Sequence, residues 1–239
     1  MTEKISTRID VFSLNTKNEI QPAVDAVMNG KITMLRVGSV FGLVFNPGIA
    51  GLQDKLNTLK GRKAGQLMSV VCTYEQAKQI VDKDRVNQDF FRISAYLCSK
   101  VITRIPVDPA TTLPFQFNCE DETLQFLSFE QAHPIRNAFA EELNLRGCKF
   151  IAITSGNISG MPTIEDTETA KMLAALFNVK ASFLGMPETK TVVTEIPEDR
   201  VAHRGSYIIL SFCNREAIEV KRLANKTDRD VTERYIQEL

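Results

Sequence analysis

The sequence has no Trp, only two His and five Cys, and each shortage removes a class of site. No two cysteines form a Cys-x-x-Cys pair, and His133 and His203 stand far apart, so no spacing typical of zinc ligands is present. We therefore expect no metal site built from protein side chains. An odd number of scattered cysteines is typical of reduced thiols in the cytosol.

Long apolar runs and an excess of charge of either sign are also missing. No run reaches the roughly 20 apolar residues that span a bilayer, and residues 1–5 lack the apolar stretch of a signal peptide. We expect a cytoplasmic protein that does not bind membranes. The 29 Lys plus Arg are balanced by 29 Asp plus Glu, which excludes a basic field over the whole surface but not a local basic patch.

Three standard sequence signatures are absent. The chain contains no Gly-x-x-x-x-Gly-Lys-Ser/Thr loop, no Gly-x-Gly-x-x-Gly fingerprint and no Gly-x-Ser-x-Gly turn. Any phosphate site in this protein must therefore be of another kind.

Apolar segments alternate with helical patterns along most of the chain, without a Ser/Gly/Pro-rich linker or a repeat. This alternation predicts a single α/β domain with a mixed sheet. Helices are expected at 19–29, 46–61, 74–81, 87–97, 134–145, 165–177 and 216–239. Strands are expected at 32–37, 67–72, 101–105, 115–118, 123–129, 149–153, 180–184, 191–196 and 207–212.

Two cations surround a glycine at the end of the second predicted helix, in Lys60-Gly61-Arg62. Arg offers a planar fork of donors and Lys a point charge, so the pair is suited to phosphate or carboxylate. The alternative is a plain helix end, where a glycine stops the helix and basic residues complement its dipole.

The most informative junction is Thr154 to Gly160, where a strongly apolar strand runs into hydroxyls, an amide and two glycines. Loops at the carboxyl ends of strands are where α/β sheets bind ligands. Ser155 and Asn157 can donate hydrogen bonds to phosphate or carboxylate oxygens, and Gly156 and Gly160 would let a ligand approach the backbone. The alternative is a polar turn that satisfies its own hydrogen bonds.

Taken in order, these segments resemble the YrdC-like family, the threonylcarbamoyl-adenylate synthases. The family's Lys-Gly-Arg-x-x-x-x-Pro-Leu-Ser-Val corresponds to 60–70, and its Ser-Ala-Asn-x-Ser-Gly to 155–160. Its opening Pro-Thr-x-Thr-x-Tyr-Gly-Leu corresponds to 36–43. The resemblance spans about 18–212, which implies a single YrdC-like domain over 1–239 with a charged extension, containing a helix, over 213–239.

The resemblance implies a twisted mixed parallel/antiparallel sheet flanked by helices, with a pocket for ATP, bicarbonate and L-threonine. Mg2+ would be held mainly by the nucleotide. Family members make threonylcarbamoyl-adenylate and release pyrophosphate, and the product supplies the modification of tRNA by partner proteins. Carried over by position, the catalytic residues would be Lys60, Arg62, Ser155 and Asn157, and the substrate-binding residues Ser39, Ser69, Thr154 and Arg204.

The sequence departs from the family mainly on the side expected to recognise the amino acid. Arg36-Val37 replaces Pro-Thr, and Ser39 is the hydroxyl that remains in the opening motif. Three functions stay open on this basis. The first is an active synthase, or a relative that uses another amine or amino acid. The second is a nucleotide- or RNA-binding protein without catalysis, and the third is a regulatory partner subunit.

Overall fold

The computed structural model describes residues 9–63, 65–66, 68–113, 122–196 and 207–222, which build one ten-stranded sheet. Its strands are β1 (Val11–Ser13), β2 (Ile32–Val37), β3 (Val40–Phe45), β4 (Ser69–Val71), β5 (Ile102–Pro106), β6 (Thr123–Leu127), β7 (Ile151–Ser155), β8 (Thr191–Glu195), β9 (Ile209–Ser211) and β10 (Glu219–Arg222).

Across the sheet the strands lie in the order β1-β8-β2-β3-β7-β4-β6-β5-β9-β10. The pairs β1/β8, β8/β2, β4/β6 and β5/β9 are parallel and the other five are antiparallel, so the predicted mixed sheet is confirmed. Strand β7 comes late in the chain but lies between β3 and β4. The loop that follows β7 is therefore brought beside residues from the first third of the chain.

Six helices accompany the sheet in the described residues, together with 3-10 turns at Lys17–Glu19 and Gln88–Phe91. They are α1 (Gln21–Met28), α2 (Leu52–Lys60), α3 (Tyr74–Ile80), α4 (Ala95–Lys100), α5 (Pro134–Leu145) and α6 (Thr167–Phe183). Within the described ranges, none of these helices has the length and apolarity needed to cross a membrane.

The helices cover the two faces of the sheet unequally. Side chains alternate along a strand, so Met34 and Leu35 of β2 point to opposite faces. Met34 shares a core with α2 and α6, whereas Leu35 shares one with α1 and α5. The register pairs Val70 with Ala152, which puts the core of α3 and α4 on the α2/α6 face. Four helices thus cover one face, and only α1 and α5 cover the other.

The end of α2 shows how the sequence sets the position of a functional segment. Gly61 adopts a left-handed φ of 70°, and its N–H bonds the carbonyl oxygen of Thr58 at 3.2 Å. The N–H of Arg62 bonds the carbonyl oxygen of Asn57 at 2.8 Å, which closes the helix end. This conformation favours glycine, so the helix stops at Lys60 and the chain turns.

Three predictions from the sequence are wrong. Residues 180–184 were expected to form a strand, but α6 continues through them to Phe183. Its buried residues Ala170, Ala174, Phe177 and Ala181 repeat at helical spacing and pack in one core with β2 and β3. The apolar run alone does not distinguish a strand from a buried helical turn.

The second error concerns the charged C-terminal extension, expected to be helical over 216–239. Residues Glu219–Arg222 instead form β10, paired with β9 at the edge of the sheet. Residues 223–239 lie outside the described part of the chain, as do 115–118, where a strand was expected. The helix expected over 87–97 is interrupted, because Ser94 accepts a hydrogen bond from the Leu97 N–H and begins α4.

Replacing Phe90 with Ala should lower the free energy of unfolding by about 3–5 kcal/mol, measured by urea denaturation. The Phe90 side chain is 0% exposed and makes edge contacts with Tyr74, Phe126 and Phe212, so its loss leaves a cavity in the α3/α4 core. Phe91→Ala is the matched control, because this ring is 37% exposed. Equal losses for the two variants would contradict the assignment of Phe90 as the centre of this core.

Candidate functional site

A cavity of about 310 Å³ lies on the face of the sheet that α1 and α5 leave partly uncovered. Val37, Leu127 and Ile153 line this cavity and also belong to the core beneath α1 and α5. The cavity runs from the end of β7 at the centre of the sheet to β9 and β10 at its edge. The cavity therefore lies over the part of this sheet face that extends beyond α1 and α5.

Arg62 is the cation at the central end of this cavity. Its Nε belongs to a charged group and is buried, and it makes no hydrogen bond to any residue in the described part of the chain. Burial lowers the pKa of Arg62 from its ordinary value. The lining residues among those described include no Asp and no Glu, so none of them supplies a carboxylate to this charge. An anionic ligand would supply the missing acceptor.

Lys60 lies behind the cavity wall and is 0% exposed. Its Nζ donates hydrogen bonds to the carbonyl oxygens of Ser155 and Asn157, and its own carbonyl accepts from the Ser159 N–H at 3.2 Å. Burial, followed by repulsion from Arg62, lowers the pKa of Lys60 to about 7. Lys60 thus ties the loop after β7 to the end of α2, and its charge sits directly behind that loop.

The glycines of the loop have structural roles. The Gly156 N–H donates to the carbonyl oxygen of Phe41 at 2.8 Å, and a Cβ at Gly156 would lie only 2.7 Å from that oxygen. Gly160 has a left-handed φ of 82°. We expected both glycines to leave room for a ligand. Gly156 instead lets the loop lie against β3, and Gly160 permits a backbone turn.

The structure brings together five of the eight residues that the sequence singled out. The residues on the cavity wall are Arg62, Ser69, Thr154, Ser155 and Asn157. Lys60 supports the wall from behind, and Ser39 lies in the turn between β2 and β3, next to the lining residue Val40 but not itself among the lining residues. Arg204 lies outside the described residues. The roles expected of these side chains remain predictions.

Several lining residues were missed by the sequence analysis, among them Gln66, Gln125, Tyr207 and Arg222. The Ser69 hydroxyl donates to Gln125 Oε1 at 3.4 Å, which places a polar pair in the middle of the cavity. Gln125 could have been found as the polar residue between Leu124 and Phe126 in a predicted strand. Arg222 could not, because its segment was expected to be helical.

The comparisons with known proteins agree with this fold. No family model and no curated protein matches the chain. Among solved structures, it is similar to a variant of P. abyssi Sua5, with a TM-score of 0.64, 16% identity, and coverage of 90% of this chain and 60% of that one. It is also similar to P. abyssi Sua5 complexed with L-threonine, with a TM-score of 0.61 and 16% identity. This match covers 85% of the present chain and 54% of the Sua5 chain.

Two further solved structures extend the comparison. E. coli YciO matches with a TM-score of 0.64 and 11% identity over 94% of this chain and 98% of that chain. Full-length HypF in its phosphate- and nucleotide-bound form matches with a TM-score of 0.63 and 21% identity, over 86% of this chain and 29% of that one. The chain thus has the single-domain α/β fold that these structures share.

Gly156→Ala should lower the free energy of unfolding by more than Gly160→Ala. The added methyl group at Gly156 meets a backbone oxygen at 2.7 Å, so β3 or the loop must move. At Gly160 nothing lies within 4 Å, and the expected cost is the roughly 1 kcal/mol of a left-handed conformation. Urea denaturation of both variants measures the difference, and a larger loss for Gly160→Ala would contradict the close approach to Phe41.

The free energy of unfolding should carry a pH dependence that originates at Lys60. Burial lowers the pKa of Lys60 from 10.5 to about 7. Between pH 7 and pH 10.5 the Lys60 side chain is therefore protonated in the unfolded chain and neutral in the folded chain. Stability of the wild type relative to Lys60→Met should therefore rise with pH from about 7 to 10, by at most about 1.4 kcal/mol per pH unit.

Below pH 7 the difference between the two proteins should become flat, because Lys60 is protonated in both the folded and the unfolded chain. Urea denaturation of both proteins from pH 6 to pH 10 provides the profiles. Parallel profiles over the whole range would show that the buried ammonium keeps its proton.

Proposed function

We propose that this chain binds ATP in the cavity and forms threonylcarbamoyl-adenylate, or the adenylate of another carbamoylated amino acid, with release of pyrophosphate. Bicarbonate and the amino acid are the other substrates. The product would supply the threonylcarbamoyl modification of tRNA through partner proteins. The support comes from the cavity's cation, which has no carboxylate among the described lining residues, and from a fold similar to structures that hold L-threonine, phosphate and nucleotide.

The observation that carries the proposal is the buried Nε of Arg62, which has no partner among the described residues and lies at a cavity whose described lining has no carboxylate. Leaving a buried charged donor unsatisfied is costly, and phosphate oxygens are well matched to its fork of N–H groups. Thr154, Ser155 and Asn157 add hydroxyl and amide groups on the same wall. This end of the cavity has the donors that a polyphosphate requires.

The proposed reaction needs no nucleophile from the protein. The amine of the amino acid adds to the carbon of bicarbonate, and water leaves as a carbamate forms. A carbamate oxygen then attacks the α-phosphorus, the bond from that phosphorus to the bridging oxygen breaks, and pyrophosphate departs. The protein contributes by holding the reactants in line and by stabilising negative charge on the phosphate oxygens.

Within this reaction the residues have distinct roles. Arg62 would contact the phosphate oxygens, with Thr154 and Ser155 beside it on the nucleotide and carbonate side. Lys60 would act as a positioning residue, because its ammonium bonds the carbonyl oxygens of Ser155 and Asn157 and does not line the cavity. Its positive charge behind the wall would also favour an anionic ligand.

Mg2+ fits this site only as a companion of the nucleotide. No group of three or more His, Cys, Asp or Glu side chains that could hold a metal occurs among the described residues. A hard cation that keeps several waters and binds phosphate oxygens does not require such a group. Bound together with ATP, Mg2+ would partly neutralise the charge of the phosphate groups near Arg62.

Replacing Arg62 with Gln should reduce pyrophosphate release by at least a hundredfold, measured with ATP, bicarbonate and each of the common amino acids. The substitution removes the charged fork from the phosphate site and leaves a shorter, neutral polar side chain whose amide ends near the position of the Arg62 Nε. Lys63→Gln is the matched control, since it removes a neighbouring cation that is exposed and does not line the cavity. Its rate should stay within about twofold of wild type.

The same assay separates the alternatives. A wild type that binds ATP but releases no pyrophosphate with any amino acid would be a non-catalytic nucleotide-binding protein. In that case Arg62→Gln should lose ATP binding. Absence of ATP binding to the wild type would overturn the proposal. Calorimetric titration with ATP supplies this second measurement without depending on turnover.

A further inference from the structure

The cavity has two chemically different ends. The central end carries Arg62 together with hydroxyl and amide side chains from the loop after β7. The other end is formed by β5, β6, β9 and β10, where Ile102, Leu127 and Ile209 make an aliphatic wall beside Gln125 and Tyr207. One guanidinium, that of Arg222, stands at the limit of this aliphatic wall.

The strand register places these side chains in one row. Arg222 of β10 is paired with Ile209 of β9, and Ile209 is paired with Ile102 of β5. Ile102 packs against the core that contains Leu127 of β6. Paired residues point to the same face in a regular ladder. The register of β10 on β9 shifts between Val220 and Arg222, and the shifted Arg222 lies at the cavity beside the three aliphatic side chains. All four residues line the cavity.

Arg222 is fixed in place but retains donors for a ligand. Its Nε and Nη2 donate to the carbonyl oxygen of Tyr207 at 3.0 and 2.8 Å, which anchors one side of the guanidinium. Its Nη1 makes no hydrogen bond to any described residue, and no described carboxylate forms an ion pair with Arg222. An anchored guanidinium that still has open N–H groups is pre-organised to bind a carboxylate.

We propose that Arg222 binds the carboxylate of an aliphatic α-amino acid whose side chain lies against Ile102, Leu127 and Ile209. This inference rests on the proposed function, in which an amino acid is the carbamoylated substrate, and it names the class of that amino acid. The ligand would extend from Arg222 towards the phosphate end, so the two arginines would hold two separate anionic groups.

The aliphatic wall also predicts discrimination between two amino acids of equal shape. L-valine and L-threonine differ by a methyl group in place of a hydroxyl group. The three side chains against which the substrate side chain would lie, Ile102, Leu127 and Ile209, offer no hydrogen-bond partner, and the Ser69 hydroxyl in the middle already donates to Gln125. A threonine hydroxyl would lose its bonds to water with little in return, so L-valine should bind about tenfold more tightly.

The test is calorimetric titration of the full chain without bicarbonate, so that no reaction occurs. The probes are ATP, L-valine, L-threonine and L-valinol, which keeps the amine and side chain of valine but lacks its carboxylate. Arg222→Gln should weaken L-valine binding at least tenfold and leave ATP affinity within about twofold. Arg222→Lys should retain part of the L-valine affinity because it keeps the charge but not the fork. L-valinol should bind the wild type at least tenfold more weakly than L-valine.

Each outcome bears on the inference. Wild-type affinity for L-valine in Arg222→Gln, equal binding of L-valinol and L-valine, or tighter binding of L-threonine than of L-valine would overturn it. Failure of all amino acids to bind the wild type would do the same. A merely structural role for Arg222 would weaken ATP and L-valine together. A wild type that fails to bind ATP, but whose L-valine binding still depends on Arg222, is a separate outcome. That result would overturn the proposed reaction but support the amino acid site at Arg222.

If Arg222→Gln does not fold, the comparison of L-valine with L-valinol on the wild-type chain still decides whether a carboxylate is recognised. The comparison of L-valine with L-threonine likewise needs no variant. These two measurements keep the inference open to contradiction on the native protein.

Discussion

The site depends on one buried cation that binds main-chain oxygens. The Lys60 ammonium holds the carbonyls of Ser155 and Asn157, 95 and 97 residues away along the chain. This bond fixes the loop after β7 against the end of α2, so Arg62 and the loop's polar side chains meet on one wall. Burial of an ammonium is unfavourable, which its lowered pKa records, and the two carbonyl oxygens partly offset that cost.

Much of the fold and part of the site could be predicted from the sequence, for reasons that particular segments make clear. The start of α5 follows from Pro134 in its first turn, and the end of α2 follows from Gly61. Arg62 was found as one of two cations around a helix-ending glycine, and Ser155 and Asn157 as hydrogen-bond donors at the carboxyl end of an apolar strand. The family resemblance then placed the two segments at one pocket, which pattern alone could not do.

The remainder depends on tertiary placement that local patterns do not encode. Lys60 has the charge of a ligand-binding residue, yet its depth behind the loop gives it internal partners. Gly156 looks like a residue that accommodates a ligand, but the close backbone is that of Phe41. Arg222 lies in a charged segment that the sequence predicts to be helical. The pairing of this segment with β9 brings Arg222 to the cavity. In each case a partner distant in sequence determines the role.

The position of β7 between β3 and β4 links the site to the folding of the whole sheet. The cavity's wall exists only when a strand from the later part of the chain has inserted between two earlier ones. Such non-local pairing forms slowly, and no short fragment of the chain contains both Arg62 and its opposing loop. Occupation of the cavity is therefore thermodynamically coupled to global rather than local unfolding, and a bound ligand would protect central-strand amides from hydrogen exchange across the domain.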